Sequence, residues 1–260
     1  MQNIDSLLKK IDENKVAMDA RRPLSAAEIR ELDSYFRIGF TYTSNALEGN
    51  TLTLSETKVI IEDGLMVGGK PLKDCYEAAG HAKAYDFMVQ IARAGEMMFS
   101  EEMICRLHRL FYAQVDSENA GSYRRHQVFI TGTEYLPPSP EDIPGLMTSF
   151  VAELNAEKAR FHPVLLAAFA HRRLVDIHPF VDGNGRTARL LMNLILLNRG
   201  YPIVSIPPVL RVEYINALHM AQREKNPGDA AFRLLIAECV LEAQRDYCRM
   251  FRIDLQKEST

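Results

Sequence analysis

The chain has 260 residues, 47% of them apolar and 25% charged, so it can bury a sizeable core as one domain or two closely packed ones. Its formal net charge of -3, with no block rich in lysine and arginine, argues against nucleic acid as a partner. The charged N-terminus does not match a signal peptide, and the apolar runs are too short for a membrane anchor. The four widely separated cysteines predict free thiols and a reducing compartment. Together these features predict a soluble cytoplasmic protein.

Helical periodicity predominates from the start of the chain, beginning with an apolar stripe within residues 4–11. A second helix is predicted over residues 24–47, runs into Glu48 and stops at Gly49. A carboxylate near a helix C-terminus is unfavourable for the helix dipole, so we expect Glu48 to have a cationic partner. Ser44 lies four residues earlier and therefore on the same helical face.

The next helix is predicted to begin at the capping-box pair Thr53 and Glu56 and to end at the following glycine. An irregular boundary lies near residue 95, and Ser100 is suited to cap the helix after it. Only residues 128–135 look extended, because they are rich in β-branched and aromatic residues and are followed by prolines. They predict a short β-hairpin or flap packed on a helical host.

The most informative stretch is IHPFVDGNGRTARLL, residues 177–191. The helix before it is predicted to stop near His178, because Pro179 biases the preceding residue away from helical angles. Another helix, apolar on nearly every side and therefore buried, opens at Arg186. The chain then turns and resumes helices between residues 200 and 252.

The residues at the start of this buried helix predict an anion site. Gly183, Asn184 and Gly185 are small, so backbone N–H groups can face a ligand at the positive end of the helix dipole. Arg186 and Arg189 share one face of the first turn, where their charge opposes the dipole. An anion with several oxygens, such as a polyphosphate, would explain two guanidinium groups there.

Two further side chains give this site chemistry. Asp182 supplies a carboxylate suited to Mg²⁺, which commonly binds one or two carboxylates together with substrate phosphates. His178 supplies a base whose ordinary pKa lies near neutral pH. The loop therefore predicts a magnesium polyphosphate site beside a nucleophile that must lose a proton.

The segment HPFVDGNGRTAR matches without departure the signature HPFx[D/E]GNGRxxR of the Fic family. The resemblance covers residues 95 to about 245, including SYRRHQVFITGTEYLPPSPEDIP, which is similar to the family's target-positioning flap and the segment before it. It implies a mainly α fold, a Fic-type helical bundle with a short β-hairpin flap. The parts implied are an N-terminal helical region with an inhibitory motif (1–95), the catalytic core (96–200) and C-terminal helices that complete the nucleotide pocket (201–260).

Enzymes of this family mostly transfer AMP from ATP to a protein hydroxyl. The resemblance implies that His178 deprotonates a Ser, Thr or Tyr hydroxyl of a target protein, and that Asp182 holds Mg²⁺ on the α and β phosphates. The other residues implied to contact ATP are Gly183, Asn184 and Gly185 at the phosphates, Arg186 at the β-phosphate, Arg189 at the γ-phosphate, and Tyr214 and Gln222 as candidates for the adenine pocket.

SNALEGN, residues 44–50, resembles the family's inhibitory motif [S/T]xxxE[G/N], with Ser44 and Glu48 at fixed positions. By resemblance, Glu48 pairs with Arg189 and occupies the place of the γ-phosphate, so that the resting enzyme is inhibited in cis. The alternative interpretation is an exposed glutamate followed by a glycine that ends the helix.

Three functions stay open. AMP transfer is the leading hypothesis. A de-AMPylase or phosphodiesterase reaction, in which Glu48 orients water, would use the same residues. A catalytically silent nucleotide-binding interaction protein is disfavoured by the retained His178. The expected partners are ATP and a target protein, with neither nucleic acid nor membrane, and the resemblance leaves room for a homodimer.

Overall fold

A computed structural model of the protein describes residues 3–223 and 228–255. Within these residues the chain forms ten α-helices, which confirms the mainly helical prediction. In chain order they are α1 (Ile4–Ala20), α2 (Ala26–Ala46), α3 (Leu54–Glu62), α4 (Leu72–Ala92), α5 (Glu101–Tyr112), α6 (Ile143–Glu157), α7 (Pro163–Ile177), α8 (Asn184–Asn198), α9 (Arg211–Arg223) and α10 (Ala230–Met250).

Helix α8 lies at the centre of the fold. Nearly all of its residues are buried, as the apolar pattern on every side of this helix predicts. It packs lengthwise against α7 and α4 and also contacts α5 and α2, while α1 packs against α10. The N-terminus of α8, where the predicted anion site lies, is therefore held by helices from both halves of the sequence.

Helix α2 brings the predicted inhibitory motif to the centre. It begins at a capping box formed by Ser25 and Glu28, and its inner face buries Phe36 and Phe40 in the main core. It ends at Ala46, so Glu48 lies in the turn that follows. Because α2 packs against both α4 and α8, this turn is directed at the start of α8.

The predicted β-hairpin is wrong. The flap segment, residues 126–138, contains no strand, and no backbone–backbone hydrogen bond joins its residues to one another. A two-stranded ribbon needs a surface to pack on. Phe129 and Leu136, the side chains that would supply an apolar face, are 82% and 60% exposed. The segment is instead an extended loop whose ends are held by side chains.

Within the described residues, no helix is long and apolar enough to cross a membrane. The four cysteines are free, as predicted from their spacing. Three of them are buried, whereas Cys105 is half-buried.

Candidate active site

The active-site loop, residues 178–183, joins the end of α7 to the start of α8. His178 caps α7 in a left-handed conformation, with φ 52° and ψ 56°. Gly183 precedes α8 with φ 79°, and a Cβ there would lie 2.6 Å from a ring carbon of Phe111. No side chain caps the N-terminus of α8, so its first backbone N–H groups are available to an anionic ligand.

The ring of His178 is held in one tautomer. Its Nδ1 lies 3.2 Å from the carbonyl oxygen of Val175. A carbonyl can only accept, so Nδ1 carries the hydrogen and Nε2 keeps its lone pair. Burial lowers the pKa of His178 below its ordinary value, and the bond to Val175 opposes that shift only in part. The ring is therefore neutral at pH 7 and able to accept a proton.

Buried aromatic contacts shape the loop. Phe180 is fully buried and stacks on the ring of His108, with the ring centroids 3.8 Å apart. His108 Nε2 lies 3.0 Å from the carbonyl oxygen of Asp182, and its Nδ1 accepts the Gly121 N–H at 2.8 Å. Burial lowers the pKa of His108 to about 4, so this ring is neutral and structural. No sequence motif marked His108, because it lies in a different helix.

Arg189 and Glu48 form an ion pair of 2.6 Å at the mouth of α8. The guanidinium also donates to the hydroxyl and the carbonyl of Ser44, at 3.0 and 2.8 Å, and to the Tyr214 hydroxyl at 3.1 Å. Burial alone would raise the pKa of Glu48, but Arg189 and Arg186 hold it below its usual range. The Glu48 side chain is therefore an ionised carboxylate.

Glu48 occupies space beside the start of α8. A Cβ added to Gly185 would lie 2.3 Å from Glu48 Oε1, so the carboxylate lies almost against the helix backbone. An anionic group is thus accommodated beside the uncapped N-terminus of α8. The structure brings the predicted residues Ser44, Glu48 and Arg189 together with this backbone.

Arg186 is held by a partner that sequence reasoning missed. Its Nη1 lies 2.8 Å from Glu77 Oε1, and both side chains are almost fully buried. The guanidinium lies over the Phe111 ring at 4.4 Å and within 3.5 Å of Asp182. Its Nε is buried without a hydrogen-bond partner. Glu77 belongs to α4, far from the loop in sequence, so spacing could not indicate it.

Asp182 lies at the mouth of the site with its side chain 43% exposed. Burial alone would raise its pKa, but Arg186, the Gly183 N–H and Lys73 hold it below its usual range. No group of three or more histidine, cysteine or carboxylate residues suited to a metal occurs in the described part of the chain. A single ionised carboxylate fits Mg²⁺ that completes its shell with phosphate oxygens and water. The unpartnered Arg186 Nε and the uncapped helix fit the phosphates.

The two adenine candidates lie in different surroundings. Tyr214 is buried behind Arg189, and its hydroxyl is 3.1 Å from His171 Nε2. Gln222 instead donates to Asp176 near the end of α7, at 3.3 Å. Their assignment to an adenine pocket stays a prediction.

Comparisons with known proteins identify the family of the chain. The Fic/DOC family model matches residues 98–196, which contain the loop and all but the last two residues of α8. Over the full length of both chains, the structure is similar to that of a Fic-domain-containing signalling protein from Bacteroides thetaiotaomicron, with 30% identity and a TM-score of 0.85. The chain belongs to the Fic/DOC family.

Two further Fic proteins show the extent of the likeness. The structure of Fic-1 (residues 134–508 of that protein) from C. elegans is 28% identical with a TM-score of 0.86, and the match covers 96% of this chain and 73% of the other. A curated relative, protein adenylyltransferase Fic of Drosophila mojavensis, is 38% identical over 235 residues. That match covers 89% of this chain but 45% of the relative, so the chain spans less than half of that protein's length.

Proposed function

We propose that this protein is an adenylyltransferase that moves AMP from ATP to a hydroxyl side chain of a target protein. The observation that carries the proposal is the convergence of a neutral histidine, an ionised aspartate and two buried arginines at the uncapped start of α8. Curated relatives 38% identical to the chain are named protein adenylyltransferases, which supports the same reaction.

In the proposed reaction, His178 Nε2 takes the proton of the acceptor hydroxyl as its oxygen attacks the α-phosphorus of ATP. The new bond joins that oxygen to the α-phosphorus, and the bond to the bridging oxygen breaks as pyrophosphate leaves. The hydrogen bond from Nδ1 to Val175 keeps the accepting nitrogen free throughout. Catalysis then consists mainly of positioning and charge stabilisation.

The phosphates are held by groups already present around α8. The start of α8 at Gly183, Asn184 and Gly185 faces the polyphosphate, and the Gly183 N–H donates to Asp182 Oδ1 in the free protein. Arg186 binds the β-phosphate and Arg189 the γ-phosphate. Asp182 would hold Mg²⁺, which would neutralise phosphate charge. The buried positions of both arginines support these roles, because little freedom is lost when the ligand binds.

Glu48 is proposed to inhibit the enzyme in cis. Its carboxylate is paired with Arg189, the guanidinium proposed to bind the γ-phosphate. The two anions compete for one cation, so the nucleotide must displace Glu48 before it can bind in a productive position. We further propose that residues 1–95 regulate, 96–200 catalyse and 201–260 complete the nucleotide pocket.

The test is labelling of lysate proteins with ATP that carries a labelled α-phosphate. The wild-type protein, Glu48→Gly and Glu48→Gly with His178→Ala are compared. Transfer is expected to be weak in the wild type, strong in Glu48→Gly and absent from the double variant. Absence of labelling in Glu48→Gly, while the variant still binds Mg·ATP, would contradict the proposal.

Removal of AMP is a second candidate, and the ionised state of Glu48 favours it. Glu48 is ionised, and although burial lowers the pKa of His178, the charge of Glu48 acts to raise it. A carboxylate in this position could orient water for attack on a protein-bound AMP. An assay on an AMP-modified protein distinguishes the two functions. Release of AMP that requires Glu48 would identify hydrolysis, whereas gain of transfer on its removal identifies AMP addition.

A further inference from the structure

Arg124 is a buried connection between the flap segment and the active-site loop. Only 2% of its surface is exposed. Its Nε donates to the carbonyl of His178 at 2.9 Å, its Nη1 to that of His126 at 3.0 Å and its Nη2 to that of Pro138 at 2.6 Å. Its backbone N–H donates to the carbonyl of Pro179 at 2.9 Å. One residue thus joins both ends of the flap segment to the start of the active-site loop.

The chemistry of these bonds explains why an arginine is present. All three side-chain partners are neutral carbonyls, so no carboxylate among them compensates for the buried charge. Burying an ion is unfavourable, and each hydrogen bond to the charged group offsets part of that cost. Packing alone would be served by methionine or leucine. A rigid fork of donors is what three fixed carbonyls require.

The hydrogen bond from Arg124 holds the carbonyl of His178, a residue with a strained backbone. A left-handed conformation is unfavourable for a residue with a side chain, and His178 adopts it with φ 52°. Arg124 holds the carbonyl of His178 with its side chain and that of Pro179 with its backbone. The peptide between His178 and Pro179 is therefore fixed in orientation, and the ring that must meet the acceptor hydroxyl is fixed with it.

The flap segment depends on the same guanidinium. With no backbone–backbone hydrogen bond between its own residues, it is shaped by side chains at its base. Besides Arg124, Gln127 donates to the carbonyl of Pro137 at 3.0 Å, and Tyr135 donates to that of Asp176 at 2.8 Å. Of these three side chains, Arg124 is the one that bonds both ends of the segment and also His178.

We infer that Arg124 is a positioning residue that sets the flap segment, and an acceptor protein lying against it, at a fixed distance from the His178 ring. The inference rests on the proposed function, since it assigns the flap segment to an acceptor protein. Arg124 touches neither the nucleotide site nor the reacting atoms. Its loss is therefore expected to reduce transfer while nucleotide affinity stays the same.

Four variants built on Glu48→Gly test this: the parent, Arg124→Met, Arg124→Lys and the control Arg125→Met. Arg125 is the exposed neighbour, so its change removes the same charge without these contacts. The measurements are backbone NMR order parameters of residues 126–138, NMR titration of the His178 ring, affinity for Mg·AMPPNP and the rate of AMP transfer to lysate proteins.

For Arg124→Met we expect the backbone order parameters of the flap segment to fall from the range of a rigid backbone, about 0.85, to below about 0.6, because no backbone–backbone hydrogen bond joins the residues of the segment to one another. Transfer should fall about 10²-fold from misplacement of the acceptor, with AMPPNP affinity within about twofold of the parent. Burial first, and then the charge of Arg124, lower the pKa of His178, so Arg124→Met should raise it. Arg124→Lys keeps the charge but not the fork, so it should loosen the flap segment with less effect on that pKa.

The inference is overturned if Arg124→Met matches Arg125→Met in both the flap order parameters and the His178 titration. If Arg124→Met does not fold, parental flap order parameters in Arg124→Lys overturn it instead. Neither the order parameters nor the titration needs activity. A failure of the proposed function therefore looks different: the Glu48→Gly parent transfers no AMP, while the effect of Arg124 on the flap segment can still be measured.

Discussion

The surroundings of His178, the proposed base, suit its ring to accept a proton. Its ring hydrogen is committed to Val175, and burial lowers its pKa from the ordinary 6.5. A lowered pKa means that the neutral, active form predominates above that pKa and is lost as the pH falls through it. We therefore expect kcat for AMP transfer by Glu48→Gly to fall on the acidic side with a midpoint below 6.5.

The measurement is the pH profile of kcat at saturating Mg·ATP, with His178→Ala as the control. That control should lose about 10²–10⁴-fold in rate and show no acidic limb, because the titrating base is gone. Its affinity for Mg·AMPPNP should remain near that of the parent. A wild-type-like rate in His178→Ala would show that another group accepts the proton.

Asp182 offers a second test at the scale of one residue. It is the ionised carboxylate at the mouth of the site, and its Oδ1 also accepts the Gly183 N–H at 2.6 Å. Asp182→Asn keeps the size and an accepting oxygen but removes the charge. We expect it to weaken the Mg²⁺ dependence of AMPPNP binding by about 10-fold or more while leaving metal-free binding nearly unchanged. Equal Mg²⁺ dependence in both proteins would make Asp182 a loop-shaping residue only.

At the scale of helices, the proposed inhibition is a contact between the turn after α2 and the first turn of α8. Coupling between two such sites commonly amounts to about 1–3 kcal/mol, or roughly 5- to 150-fold in apparent affinity. Glu48→Gly should raise ATP affinity by a factor in this range. The gain should require Arg189, because the nucleotide and Glu48 share this cation.

A double-mutant cycle over Glu48→Gly and Arg189→Ala measures this dependence, with AMPPNP affinity as the readout. In the Arg189→Ala background, Glu48→Gly should produce little further change. Additive effects of the two substitutions would mean that Glu48 acts through another group, with Arg186 the nearest alternative.

The helices themselves were largely predictable, because their signals are local. Each local signal corresponds to an observed helix or helix end: the capping boxes at Ser25 and Thr53, the proline at the first position of α7, and the apolar pattern on nearly every side of α8. The flap segment was not predictable in this way. Its residues have the composition of strands, but pairing depends on a packing surface that no local pattern reveals.

The residues of the site were likewise predictable only where the signal is local in the sequence. Residues 178–189 and Glu48 could be found because each belongs to one continuous motif. Glu77 and His108 could not, because they approach the loop from other elements of the fold. Their residue types are common in helices and loops, so only the tertiary arrangement distinguishes them.

At the scale of the whole molecule, regulation and stability share one buried arginine. Arg189 is 1% exposed and belongs to the central helix, so its charge must be compensated whether or not nucleotide is present. Glu48 supplies that compensation in the free protein. The proposed γ-phosphate supplies it in the complex. The contact proposed to inhibit the enzyme therefore also stabilises the fold.

The last prediction follows from this double role. Glu48→Gly leaves the Arg189 guanidinium buried with neutral partners, Ser44 and Tyr214, which should lower the free energy of unfolding by about 1–3 kcal/mol. Binding of Mg·AMPPNP at 100 times its Kd should raise the free energy of unfolding by about 2.7 kcal/mol. Thermal unfolding of the wild type, Glu48→Gly and Glu48→Gln, with and without Mg·AMPPNP, measures both effects.

At one fixed concentration of Mg·AMPPNP, Glu48→Gly should begin below the wild type in melting temperature and gain the larger increase from the ligand. Glu48→Gln keeps the side-chain length without the charge, so it should fall between them. Because the pKa of Glu48 is lowered, the advantage of the wild type without ligand should be present above pH 4.5 and disappear as the pH falls through that lowered pKa. Equal melting temperatures and equal ligand shifts for the wild type and Glu48→Gly would show that Arg189 needs no carboxylate, and that Glu48 does not compete with the nucleotide.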